Sequence, residues 1–207
     1  MKNNHDLRSA RWASLFFVTA GLLMAVLWLI YTTVHGPTSF DQTHAVFGRS
    51  TLFWSLLLSA PPSLLVALGL IILYPRLASG ARLMPRIGYA LTMIGLVVPA
   101  GLDLFVWGGL GPPFFVPAVG TGLILLALGS WHSSRLPRYS HSLLMFIGIA
   151  QAIAFAMELI PIEVSDQIGG YRIYGLVSHL LTGLGWVAFG ISFWKIRVPI
   201  TIELAQN

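Results

Sequence analysis

The chain has no cysteine, and only 9% of its 207 residues are charged. The first absence excludes disulfides, thiolate metal sites, iron–sulfur clusters and covalent haem attachment. The second excludes an ordinary soluble domain, which carries roughly 25% charged residues. Room for a second domain is also lacking, because the longest gap between apolar stretches, residues 35–51, is short. No nucleophile–base pattern, phosphate-binding glycine loop or dinucleotide fingerprint is found. What is present in abundance is apolar: 56% hydrophobic residues and a mean hydropathy of +0.80.

Six apolar stretches approach bilayer length, at residues 12–34, 52–74, 87–108, 114–131, 142–161 and 173–194. Positive charge falls in every second gap between them. Lys2, Arg8 and Arg11 precede the first, and Arg76, Arg82 and Arg86 separate the second from the third. Arg135 and Arg138 separate the fourth from the fifth, and Lys195 and Arg197 follow the sixth. Only Arg49 and Arg172 remain for the other side. The positive-inside rule then predicts six spans in a cytoplasmic (plasma-type) membrane with both termini in the cytoplasm. The pI near 10 therefore reflects topology signals at helix ends, and no nucleic-acid partner is expected. The first apolar run is too long for a signal peptide and lacks a small-x-small cleavage site, so it reads as an uncleaved span.

Aromatic residues support the same topology. Trp28, Tyr31, Trp54, Trp107, Tyr171 and Tyr174 fall at predicted outer ends. Trp12, Tyr74, Tyr89, Trp131, Tyr139 and Trp194 fall at inner ends, as amphipathic rings at an interface should. Trp186 lies deep and is expected to pack between helices.

The expected fold is a single all-α transmembrane domain over 1–207, built as three helical hairpins. A threefold repeat over 11–76, 86–135 and 141–197 is suggested by the strings Ala67-Leu68-Gly69, Ala127-Leu128-Gly129 and Ala188-Phe189-Gly190. The equal 17-residue separations Arg11–Trp28, Arg86–Asp103 and His141–Glu158 suggest it too. Seventeen helical residues climb about 25 Å, which places Trp28, Asp103 and Glu158 just inside the outer face of a core ~30 Å thick.

Ionisable groups in a membrane are costly and tend to mark function. Asp103, Glu158 and His179, with Arg172 at the rim, are the candidate ligand or proton pocket, open to the outside. A desolvated carboxylate beside an imidazole can exchange protons near neutral pH. Pro61 and Pro62 in the second helix and Pro99 in the third are expected to interrupt their helices near the bilayer centre. Thr51, Ser55, Ser59 and Ser63 recur at every fourth residue and form a polar stripe, read as a hydrated path or as a helix-packing face. His35, Asp41 and His44 in the first outer loop are weak metal candidates, with no tight ligand spacing. No cofactor is expected. A b-type haem would need histidines at matching depth, and His132 and His141 both lie at the inner boundary while His179 stands alone at its own.

Three functional readings follow. The first is a non-enzymatic accessory or packing subunit of a membrane assembly, partnered by lipids and by other subunits or copies of itself. The second is a small proton-coupled transporter or ligand-binding membrane protein with an outward-facing acidic pocket. The third is a membrane enzyme or haem carrier.

Overall fold

The computed structural model describes residues 2–33, 45–78, 83–107, 115–131, 136–137, 139–158 and 174–194. Among these the chain forms six helices. They are α1 (Lys2–Thr33), α2 (Thr51–Leu77), α3 (Leu83–Leu102), α4 (Val116–Ser130), α5 (Ser140–Glu158) and α6, which opens as a π-helical segment (Leu176–Leu181) and continues as α-helix (Thr182–Trp194). A second π-helical segment, Asp103–Trp107, extends α3. Five of the helices are long and apolar enough to cross a membrane, so the chain is a multi-pass helical membrane protein. The fourth, expected over 114–131, is shorter: its 15 residues reach only about 22 Å.

Before α2 lies a small hairpin. Strand β1 (Ala45–Val46) pairs antiparallel with β2 (Arg49–Ser50) across a Phe47-Gly48 turn in which both residues have positive φ. Trp54 Nε1 donates to Val46 O at 2.9 Å, and Ser50 Oγ caps α2 by accepting from Phe53 N at 3.2 Å. This hairpin was not anticipated. Its two-residue strands are too short to leave an alternating pattern in the sequence.

The helices form a closed ring in chain order, each antiparallel to its neighbours. The start of α1 and the end of α6 therefore share one end of the bundle, called here the terminal end. Packing around the ring is uneven. The α1–α2, α3–α4, α4–α5 and α6–α1 pairs are extensive, whereas α2–α3 and α5–α6 are lean seams. The expected hairpin pairs are thus unequal, with α5–α6 much leaner than the other two.

Glycine makes the extensive pairs close. A Cβ on Gly183 would stand 2.5 Å from Gly21 O in α1, and one on Gly190 would stand 2.8 Å from Ser14 O. Ser14 Oγ donates to Gly190 O across the same interface at 2.6 Å. In α3–α4, a Cβ on Gly88 would stand 2.6 Å from Leu126 N, and one on Gly129 would stand 2.6 Å from Pro85 Cδ. Small residues let backbones approach and so substitute for the hydrophobic drive that lipid cannot supply. Each of the three Ala-x-Gly strings places its glycine against a neighbouring helix. The middle residue differs: Leu68 and Leu128 are exposed, whereas Phe189 is fully buried.

The main core lies in the terminal half, where Phe17, Val66, Leu70, Leu123, Leu126, Ile147, Trp186 and Phe189 converge. Trp186 is 1% exposed, as expected of the one deep tryptophan. Trp12, Trp131, Tyr139 and Trp194 are exposed at the terminal end. A smaller cluster of Leu27, Ile30 and Leu58 closes the α1–α2 pair in the far half.

Candidate functional site

The two π-helical segments host two of the residues that the sequence singles out. Asp103 opens the segment of α3, and His179 sits within that of α6. A π turn inserts one residue into a helix at a cost and is frequent at functional sites. Asp103 lies on the segment packed against α2, and His179 on the segment packed against α1 and α5. Glu158 is the last residue of α5, at the same end of the bundle. Its side chain and the whole of Arg172 lie outside the described residues, as do His35, Asp41, His44 and His132. Among the described residues no group of three or more histidine or acidic side chains could hold a metal ion.

The proline expectation needs restating. α2 runs without interruption through Pro61 and Pro62, and α3 through Pro99. A proline removes one donor, which kinks a helix without ending it when neighbours pack on both sides. The irregularity in α3 falls four residues later, where Asp103 begins the π segment. Along the polar stripe of α2, Ser55 is buried, and Ser63 Oγ donates back to Ser59 O at 3.0 Å. The side chain of Thr51 lies outside the described residues.

A polar cluster that the sequence reading passed over lies at the α5–α6 seam. Gln151 Nε2 donates to Thr182 Oγ1 at 3.0 Å and to Ser178 O at 3.4 Å. Thr182 Oγ1 spends its own proton on Val177 O at 3.1 Å. Ser178 Oγ is buried and has no hydrogen-bond partner among the described residues. Toward the far end, Tyr174 and His179 pack edge to face with centroids 6.2 Å apart, and Gly175 lies close to Trp28. Toward the terminal end an aromatic plug follows. Phe17 stacks on Trp186 at 5.3 Å, and Phe189 meets both rings edge-on at 5.0 and 5.7 Å.

No family model, curated protein or solved structure matches this chain. The chemistry must therefore be read from the residues themselves.

A second polar group ties the terminal ends of α4, α5 and α6. Ser130 Oγ donates to Leu126 O at 2.6 Å and lies 3.1 Å from His141 Nδ1. A serine has one proton, so while Leu126 O holds it the contact requires the His141 tautomer that carries hydrogen on Nδ1. A serine nucleophile needs the opposite polarity, with the imidazole accepting from the hydroxyl. Beside this pair, Ser140 Oγ and Ser192 Oγ are 3.3 Å apart across the α5–α6 seam. These contacts fasten helix ends.

Gln151 is not among the ionisable groups, prolines or serine and threonine stripe that the sequence singles out. A signal was available. It is an amide at mid-depth in the otherwise apolar stretch Ile149–Ala154, seven residues before Glu158. Seven residues is two helical turns, so both positions share a face of α5.

Proposed function

We propose that this protein is a small-solute transporter in which two three-helix bodies, α6–α1–α2 and α3–α4–α5, move against each other across the lean seams. The observation that carries this reading is the division of the bundle. Glycine approaches to a neighbouring helix's main chain lie inside each body, the Gly185 contact across α5–α6 being to the Ile147 side chain, and polar or irregular elements occur at the seams. Gln151 bonds across α5–α6 to Ser178 and Thr182, and the π segment that Asp103 opens packs against α2. Interface strength repeats after three helices: α1–α2 resembles α4–α5, α2–α3 resembles α5–α6, and α3–α4 resembles α6–α1. α1 and α4 run in opposite directions, so this pattern is that of an inverted-topology pair. Such pairs are the usual basis of alternating access.

In this reading Asp103, Glu158 and His179 stand around the mouth at the far end, which the charge bias places outside the cell. The aromatic plug closes the path toward the cytoplasm. The accessory-subunit reading drew on small-residue helix faces, and those glycines are occupied by neighbouring helices of this same chain.

The absence of cysteine makes the test direct, because every introduced thiol is unique. Spin labels at lipid-exposed positions report each body. Ile94 with Ile153 spans α3–α5, and Ile71 with Ile191 spans α2–α6. Leu22 with Ile94 crosses between bodies. Double electron–electron resonance should give one narrow distance within each body and two populations, shifting with pH or lipid, across them. A single narrow distance for the crossing pair under all conditions would sink the proposal, and so would equal broadening within the bodies.

A further inference from the structure

The seam cluster has the composition and depth of a solute site. Gln151 lies eleven residues along α5 from Ser140, and Thr182 lies twelve residues from the end of α6 at Trp194. Those rises are about 16 and 18 Å, close to the centre of a ~30 Å hydrocarbon core. An amide placed there without need would carry the cost of burying a polar group in an apolar medium.

Its hydrogen bonds leave a defined remainder. Both Gln151 bonds run from Nε2, and no described residue donates to its carbonyl oxygen. Ser178 is 7% exposed, and its hydroxyl has no partner among the described residues. Helical serines and threonines normally bond back to a carbonyl one turn earlier. Among the described residues five do so: Thr32 to Leu29 O, Ser63 to Ser59 O, Thr92 to Gly88 O, Ser130 to Leu126 O and Ser192 to Phe189 O. Ser178 differs from them in lying within a π segment, where Thr182 Oγ1 reaches the carbonyl five residues back, at Val177, and Ser178 Oγ makes no such bond. The result is one carbonyl acceptor on α5 and one hydroxyl on α6, which can donate or accept, at the same seam. The aromatic plug of Phe17, Trp186 and Phe189 begins one turn nearer the terminal end. The site is therefore approached from the far end, past His179 and Tyr174.

We infer that Gln151, Ser178 and Thr182 form a midplane site for a small uncharged solute carrying both a hydrogen-bond donor and an acceptor, such as an amide or a polyol. The inference rests on the transport reading and names the solute class of that transporter. The cluster consists of an amide and two hydroxyls with no formal charge, so a charged solute would meet no counter-charge within it. An uncharged donor–acceptor solute completes the bonds that the protein leaves open, and this makes the occupied seam better satisfied than the empty one.

The test is solute flux in vesicles containing the purified protein, read by stopped-flow light scattering with urea, glycerol, methylammonium and acetate. The wild type should accelerate urea or glycerol entry roughly tenfold over protein-free vesicles. Gln151→Leu and Ser178→Ala should each return the rate toward that of bare lipid. Ser178→Ala removes no hydrogen bond, so it keeps the fold, and unchanged spin-label distances confirm this for both variants. Wild-type flux in both variants would overturn the site. So would selective movement of methylammonium or acetate, which would leave the transport reading standing on a charged site elsewhere. Absent flux of all four solutes alongside normal two-body motion would also overturn the site alone. Absent flux with no motion would overturn both.

Discussion

Replacing Gly88 with alanine adds a single methyl at the α3–α4 crossing. That methyl would lie 2.6 Å from Leu126 N and 2.7 Å from Gly122 O. Both are main-chain atoms, so no rotamer change can relieve the clash. Restoring ordinary contact requires the helices to part by somewhat under ~1 Å, and such a gap forfeits about a quarter to a half of each affected dispersion contact. The loss spreads along the interface, because Gly95 on Val119, Gly122 on Thr92 and Gly129 on Pro85 share the same approach. Overpacking of this kind costs about 1–3 kcal/mol, against a gain of about 1 kcal/mol from alanine's better helix propensity. The expected net is a destabilisation of up to about 2 kcal/mol. Gly101, on the same helix, supplies the control, since a Cβ there meets nothing within 4 Å. Gly101→Ala should therefore stabilise by about 0.5–1 kcal/mol. Thermal unfolding in mild detergent reads both variants. At about 2–4 °C per kcal/mol for a chain of this size, their Tm values should separate by roughly 5 °C with opposite signs. Shifts in the same direction would refute backbone contact at α3–α4, and with it the rigid α3–α4–α5 body.

Two further outcomes follow from the packing. Phe17→Ala removes the ring at the centre of the plug and should lower stability by about 3–5 kcal/mol, measured by the same unfolding assay; a loss below about 1 kcal/mol would show that the plug does not depend on that ring. Paired Ser140→Cys and Ser192→Cys substitutions, at positions whose hydroxyls are 3.3 Å apart, should form an intramolecular disulfide on mild oxidation and collapse the two-population spin-label distance to one; absence of the gel-mobility shift would remove the predicted proximity of α5 and α6 at the terminal end.

Hydropathy and charge made the helices legible before any coordinates. Each apolar stretch corresponds to a helix, with boundaries moved by a few residues except at the start of α1, which begins at Lys2, because hydrocarbon thickness dictates the length of a span almost independently of sequence detail. The neighbour relations were harder to read. Ala67-Leu68-Gly69 and Ala188-Phe189-Gly190 look alike as strings, yet Leu68 faces outward and Phe189 faces the core. A short small-residue string reports that a close contact exists and says nothing of which helix supplies it. Asp103 and His179 were found because ionisable residues are rare in spans, and both proved to lie in π segments. The π turns themselves have no signature in hydropathy, because inserting one residue leaves the apolar run intact. Gln151 was missed for a related reason: a single neutral amide barely changes the hydropathy of α5.

The asymmetry between the two halves of the bundle carries the functional argument further than any single residue. In the terminal half, aromatic and branched aliphatic side chains fill the centre, and serine and histidine contacts fasten the helix ends. Opening that half would expose buried rings and break those ties together. In the far half the described apolar packing beyond α1–α2 is sparse, and both π segments lie there. A π turn holds one residue more than a regular helix, so returning it to α geometry rotates everything beyond it by about 100° with little translation. For α6 that rotation would carry Ser178 and His179 around the helix while the segment Thr182–Trp194 stays in the core. Gln151 opposes it, because its amide holds Ser178 O and Thr182 Oγ1, one group on each side of the junction. A solute that engages Gln151 and Ser178 would bear on that junction directly. Binding at the midplane and movement of the far end are thus joined through one side chain, and the Gln151→Leu variant tests both.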